Sequence, residues 1–249
     1  QLNASGYWVV FDEVQSYNPA NNVQVLFHPR SSNITTVSEG EEYRWNIQRW
    51  NPEGVELSVF YATPPAAFPI VEGVQADKSN SLLCKYVEAD YQVDEFGKKQ
   101  IITVLFPVKN NQSFPDINRY EGSNYTGSKL QHNDNAIDYH IESSANEDIA
   151  LDFGATINGK FQMVRLSGDT LQTYFGMDVT KFMISDNDEL IGFESDQPIA
   201  VFLNGPEGMV NGLNTEVTFY YPGIKKVFIN NEEATIINDG INSLRVSIP

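Results

Sequence analysis

The chain has 249 residues, with 33 acidic against 16 basic side chains and a formal net charge of −17. A surface of that sign repels phosphate backbones and anionic lipid, which argues against nucleic-acid and membrane-surface roles. With 41% hydrophobic and 12% aromatic residues, the chain has material for a large packed core, and global disorder is excluded.

No run approaches the roughly 20 apolar residues of a membrane span, so no membrane insertion is expected. No basic stretch followed by an apolar one opens the chain, and no signal peptide is read there. Cys84 is the single cysteine, which leaves no internal disulfide and no thiolate cluster. Its apolar neighbours Leu82, Leu83 and Tyr86 favour a small buried side chain over a reactive thiol.

The first element is the run Tyr7-Trp8-Val9-Val10-Phe11, closed by Asp12-Glu13 with Val14 just beyond. β-Branched and aromatic residues in so short a run predict a strand buried on both faces. Asn18 to Asn22 reads as a turn, and Val23 to His28 as the strand returning from it. In Tyr43 to Trp50, Tyr43, Trp45 and Ile47 share one face and Arg44, Asn46 and Gln48 the other, the period of a half-buried strand. Asn51-Pro52-Glu53-Gly54 is a turn, and Val55 to Tyr61 alternates again. The proline-rich Pro64 to Pro69 is a surface connection. Leu82 to Tyr91 and Lys99 to Val108 follow, joined at the acidic turn Asp94 to Gly97. Within the second, Gln100 to Phe106 is nearly continuous apolar and central in its sheet, with Pro107 ending it.

From Asn110 to Lys129 the composition turns to Asn, Ser, Gly and Asp, the mark of a long loop or a boundary. Strands resume at Ala136–Glu142, Ile149–Phe153, Phe161–Leu166, Thr170–Phe175, Lys181–Ile184, Glu189–Phe193, Ile199–Leu203, Glu216–Tyr221 and Lys225–Ile229. Asn230-Asn231 reads as a two-residue hairpin turn into Ala234–Ile237, and Leu244–Ile248 is the last strand. The expectation is an all-β fold, an antiparallel sandwich or large folded antiparallel sheets with a possible second small β subdomain. Its divisions fall at 1–110, a polar loop or linker over 111–130, and 131–249.

The stretch Gly6 to Val14 followed by Val25-Leu26-Phe27-His28-Pro29 resembles the C-terminal β-sandwich of heparinase II/III-like polysaccharide lyases. There a strand of the type tyrosine-tryptophan-valine-valine-x-aspartate precedes a returning strand that ends in phenylalanine-histidine. Lys99 to Pro107 resembles a later strand of such domains that closes with a proline. Pro222 to Asn231 is similar to the terminal hairpin of many carbohydrate-enzyme β modules. The likeness covers the first half well and the rest loosely, and buried strands of this composition occur in many sandwiches.

The family cleaves anionic, uronate-containing polysaccharides by β-elimination, with tyrosine, histidine and asparagine supplied largely by a preceding α/α-toroid. A histidine-glycine-histidine segment and a histidine-asparagine pair come before the tyrosine-tryptophan strand in those proteins. Here five residues precede Gly6, and the pair His132-Asn133 lies far downstream, so no catalytic role is carried across. The resemblance thus implies the downstream portion of a lyase, serving as scaffold and as part of the substrate cleft. Its partners would be the polysaccharide and an N-terminal catalytic domain of the same parent, in a periplasmic or extracellular setting. The alternative is a stand-alone, non-catalytic glycan-binding or cell-surface β protein.

For glycan binding the candidates are His28, Arg30, Arg44, Arg49 and Trp50. Aromatic faces stack on sugars, and guanidinium groups pair with carboxylate or sulfate in bidentate fashion. Trp45 and Trp50 differ by an odd number and point to opposite faces, which assigns Trp45 to the core. A metal near His132 and Asp134, with Asp138 and His140 in the same strand parity, lacks any zinc-type spacing. Asp186 and Asp188 could offer oxygens to calcium, but the register of an EF-hand is missing. Strand-flanking polar residues and an acidic turn explain both groups, and no cofactor is expected. Asn3, Asn33, Asn111 and Asn124 each open a short glycosylation sequon.

Overall fold

Period-two alternation punctuated by turn residues becomes, in a computed structural model of the protein, twenty β-strands and no other regular element among the described residues. Those residues are 6–28, 33–38, 40–46, 54–76, 81–109, 112–143, 146–186, 189–204, 207–212, 214–220, 226–233 and 244–248. The fold is all-β, built from large antiparallel sheets. The chain divides between Phe114 and Pro115 into two units.

The first unit holds β1 (Trp8–Gln15), β2 (Asn22–Phe27), β3 (Ile34–Ser38), β4 (Glu42–Asn46), β5 (Val55–Tyr61), β6 (Ile70–Ala76), β7 (Ser81–Gln92) and β8 (Lys98–Lys109). They form a five-stranded sheet in the order β1-β8-β5-β4-β3 and a three-stranded sheet in the order β2-β7-β6. Alternation decides what each sheet buries. Tyr43, Trp45, Val59, Tyr61 and Ile101 of the larger sheet meet Val87, Ala89 and Tyr91 of the smaller, with Val23, Val25 and Phe27 packed beside them. Tyr61 sits at the centre, edge-on to Phe27 at 6.0 Å and to Phe68 at 5.0 Å. The two sheets thus form a sandwich, with Trp45 in the core as its parity requires.

The structure corrects three expectations. The opening strand is not buried on both faces: β1 is the edge of its sheet, and Trp8 at its start is 60% exposed. Continuous apolar character marked β8, which lies between β1 and β5, as the interior strand more faithfully than it marked β1. Nor does β2 return against β1; it pairs with β7 in the other sheet. The corner explains this. Ser16 N donates to the Gly97 carbonyl at 2.6 Å, and the Ser16 hydroxyl is bonded with Asn18 and Asn21, which carries the chain across the sandwich instead of back along one sheet. Finally, β8 runs through Pro107 to Lys109. Among the described strands β1 pairs no further along β8 than Leu105, so at Pro107 the paired strand is β5, and the missing donor is tolerated on the other side.

The second unit holds β9 (Asp116–Arg119), β10 (Tyr125–Gln131), β11 (Ala136–Ser143), β12 (Ile149–Ala150), β13 (Ala155–Ser167), β14 (Thr170–Asp186), β15 (Glu189–Asn204), β16 (Glu207–Asn211), β17 (Thr215–Tyr220), β18 (Lys226–Ile229), β19 (Glu232–Glu233) and β20 (Leu244–Ile248). Its twelve strands form one sheet, β19-β18-β16-β15-β14-β13-β11-β10-β9, with β12 added to β13 and with β17 and β20 branching from β15. The start of β15 pairs β17 (Gly192↔Tyr220) and its end pairs β16 (Phe202↔Met209). A strand that changes partners along its length lets one sheet enclose its own core, here Tyr139, Ile141, Val164, Tyr174, Phe182, Phe193, Val217, Phe219 and Val246 among others.

Segments read as separate strands are joined. β14 contains both Thr170–Phe175 and Lys181–Ile184, and β15 both Glu189–Phe193 and Ile199–Leu203. Register shifts around Val179, and between Asn158 and Gly159 on β13, absorb the polar interruptions as bulges. Gly159 permits the second of these: its φ is 142°, and an added Cβ would stand 2.5 Å from Val179 Cα.

The stretch 111–130, expected as a polar loop or linker, holds β9 and β10. Ile117 and Leu130 are direct cross-strand partners, and Tyr120 and Tyr125 of the same hairpin pack into the unit's core. Asn230 and Asn231, with φ of 48° and 72°, make the predicted two-residue turn from Ile229 to Glu232. Residues 234–237 lie outside the described ones.

Candidate functional site

Of the five residues put forward for glycan binding, the two that are described, His28 and Arg44, lie on opposite sides of the first unit's sandwich core. Arg30, Arg49 and Trp50 lie outside the described residues. Arg44 is on β4, on the face of the five-stranded sheet turned away from the sandwich core. Its Nε donates to Glu42 Oε1 at 2.7 Å, and its guanidinium lies 3.9 Å from the centre of the Phe114 ring. Ser58 donates to the same Glu42 oxygen. The guanidinium is thus already paired and stacked within its own unit.

His28 follows β2 on the other side of that core. It is exposed and stacks on Tyr86 of β7, with ring centres 4.5 Å apart and planes 19° from parallel. The parity that sends Val87, Ala89 and Tyr91 inward sends Tyr86, Glu88 and Asp90 outward, and on β2 it sends Gln24 and Leu26 to the same surface. Gln24 Nε2 donates to Glu88 Oε1 at 2.7 Å and to Asp90 Oδ1 at 2.9 Å. Sequence reasoning singled out His28 but not Tyr86, Gln24, Glu88 or Asp90. Their signal was the same alternation, once β2 was placed against β7.

The polar residues of β11 come together differently from a metal centre. Asp138, buried completely, accepts from Arg165 Nε at Oδ1 and from Arg165 Nη2 at Oδ2, both at 2.5 Å, and His132 Nε2 lies 2.7 Å from Oδ2. Two residues on, His140 is also fully buried, and its Nδ1 is 2.9 Å from Ser128 Oγ, its cross-strand neighbour on β10. Burial is the main force on this imidazole and lowers its pKa to about 4, with the Arg165 and His132 charges adding to the effect and Asp138 opposing it. His140 is therefore neutral at pH 7.

Asp134 takes no part. Its Oδ1 accepts the Ala136 N–H within the turn that leads into β11. Among the described residues, no group of three or more His, Cys, Asp or Glu side chains is arranged to hold a metal ion. The partner that sequence reasoning missed is Arg165, which stands opposite Asp138 on β13 but 27 residues away in the chain. Chemically, the arrangement is a buried, charge-compensated polar island. Ser128 is as deeply buried as His140.

Asp188, the side chain of Asp186 and the side chain of Cys84 lie outside the described residues. Asn33 and Asn124 are exposed, and Asn124 Nδ2 donates to Glu147. No protein-family model and no curated protein matches the chain.

Proposed function

We propose that this chain is the β-sandwich portion of a heparinase II/III-like polysaccharide lyase. It scaffolds an N-terminal catalytic domain that cleaves a uronate-containing polysaccharide by β-elimination, and it contributes part of the substrate cleft. The observation that carries this reading is the pairing of two of the stretches that carry the resemblance, the opening strand and the later proline-closed one. β1, whose tryptophan-valine-valine start follows Tyr7 directly, and β8, which contains the proline-closed segment, are neighbouring strands paired from Trp8↔Leu105 to Gln15↔Lys98. A periplasmic or extracellular setting goes with this reading.

The test is product release. Incubated alone with polygalacturonate, alginate and heparan sulfate, the chain is expected to give no rise in the ultraviolet absorbance of unsaturated uronate. The parent protein is expected to give one on its own substrate. Turnover by the chain alone, or a parent inactive on every uronate glycan, overturns the proposal.

A second reading, a non-catalytic glycan-binding or cell-surface β protein, is favoured by the exposed stack of His28 on Tyr86.

A further inference from the structure

The outward face of the β2-β7-β6 sheet has features that a scaffold does not need. Tyr86 leans from the central strand across β6 at Gly73, where an added Cβ would stand 2.6 Å from Tyr86 Cε1. Gly73 is thus the position at which β6 gives up a side chain so that the ring can occupy its place. His28 stacks on that ring from the other flank, and Leu26, the preceding outward residue of β2, is 45% exposed. Together they make a small apolar ledge on this face, with Val71, the cross-strand partner of Tyr86, on the same side.

Beside the ledge, along the same strand as Tyr86, come Glu88 and then Asp90, spaced as alternate residues on one face. The Gln24 amide bonds to both carboxylates and fixes them in a row. Each carboxylate retains acceptor capacity, since an ionised carboxylate accepts at roughly four lone-pair positions.

We propose that this face binds a neutral, hydroxyl-rich glycan. One sugar ring would lie on the ledge of His28, Tyr86 and Leu26, with hydroxyls of the next donating to Glu88 and Asp90. The chemistry selects this ligand on two counts. The C–H face of a pyranose carries slight positive charge and suits the negative face of an aromatic ring, here the face of the exposed His28 ring turned away from Tyr86. Sugar hydroxyls are donors, and O–H to carboxylate bonds are short and charge-assisted. Charge complementarity excludes the anionic alternative. Two carboxylates on the face, in a chain of net charge −17, repel a uronate or a sulfate.

The inference deepens the glycan-binding reading and stands whether or not the parent is a lyase, because this surface and an anionic substrate cleft would take different sugars. The experiment is calorimetric titration of the intact 249-residue chain with cello-, xylo-, manno- and laminari-hexaose, and with oligogalacturonate as the charged comparator. At least one neutral hexaose should bind saturably and oligogalacturonate should not. Tyr86→Ala, and separately the pair Glu88→Gln with Asp90→Asn, should each weaken binding about tenfold, the scale of one lost stacking or hydrogen-bonding contact. His28→Ala, at an exposed position that folding does not need, should weaken it in the same direction. Arg44→Ala, on the other side of the core, should leave it unchanged. Binding confined to oligogalacturonate, no binding to any neutral hexaose, or full affinity in both Tyr86→Ala and His28→Ala overturns the proposal. None of these readouts depends on product release, so the lyase reading fails or survives separately.

Discussion

Asp138 and Arg165 are direct partners across β11 and β13, and the guanidinium fork closes on the carboxylate through Nε and Nη2, each at 2.5 Å. Both residues are buried, so each charge depends largely on the other for what water would have given it, with His132 beside Asp138 Oδ2 as a further partner of the carboxylate. Arg165→Leu should lower the unfolding free energy by about 3–5 kcal/mol, because it strands a desolvated carboxylate. Adding Asp138→Leu to that variant should recover most of the loss. Urea titration of the wild type and both variants measures this, and a single-variant loss below about 1 kcal/mol would show that the pair is not desolvated as described.

His140 gives the stability a specific pH dependence. Its folded pKa of about 4 lies below the ordinary histidine value near 6.5. Between those values the unfolded chain takes up a proton that the folded chain refuses. The stabilisation is therefore full above about pH 6.5, is lost as pH falls, and its loss is complete at about pH 4, amounting to about 3 kcal/mol. Ser128 Oγ lies against the ring at Nδ1, and Asp138, Arg165 and His132 act on it electrostatically. In His140→Gln this segment of the curve should flatten. Urea midpoints taken from pH 7.5 to pH 4.5 would show it, and identical slopes for the two proteins would refute it.

Gly159→Ala should destabilise the second unit by about 3 kcal/mol, since it combines a φ that L-residues avoid with a clash against the neighbouring backbone. Gly6→Ala, where an added Cβ meets nothing within 4 Å and φ is unremarkable, should be neutral. Thermal melts of the two variants make the comparison.

Trp45 and Trp8 make a matched pair in the first unit. Trp45→Ala empties a core position that is 1% exposed and should cost about 3–5 kcal/mol. Trp8→Ala, at an edge strand, should cost below about 0.5 kcal/mol. Urea titration of the two variants compares them, and equal losses would contradict the placement of β1 at the edge.

What could be read from the chain beforehand was local. Alternation placed Trp45 inward and Arg44 outward, and Asn230-Asn231 marked its own hairpin turn. What could not be read was pairing across distance. Nothing near Val23 says that its neighbour is Tyr91 and not a residue of β1, because the corner that decides it closes on Gly97, some eighty residues on. The same limit hid Arg165 from Asp138 and Tyr86 from His28. Bulges deceived in the opposite direction: the break between Phe175 and Lys181 has the composition of a turn, with Asp178 at positive φ, yet β14 passes straight through it.

β15 divides its length between two neighbours, β17 on its first half and β16 on its second, with β14 along its other side. That arrangement predicts an order of assembly. β16 and β17 both pair with β15, which β14 holds on its other side, and β20, whose partner among the described strands is β17, should join after them. Refolding should therefore run on the millisecond-to-second scale of non-local β topologies. Core truncations along the β14–β15 hairpin, such as Phe182→Leu, should slow folding, while Val246→Ala on β20 should mainly speed unfolding. Stopped-flow fluorescence would separate the two, and a terminal strand whose truncation slowed folding as much as the hairpin's would reverse that order of assembly.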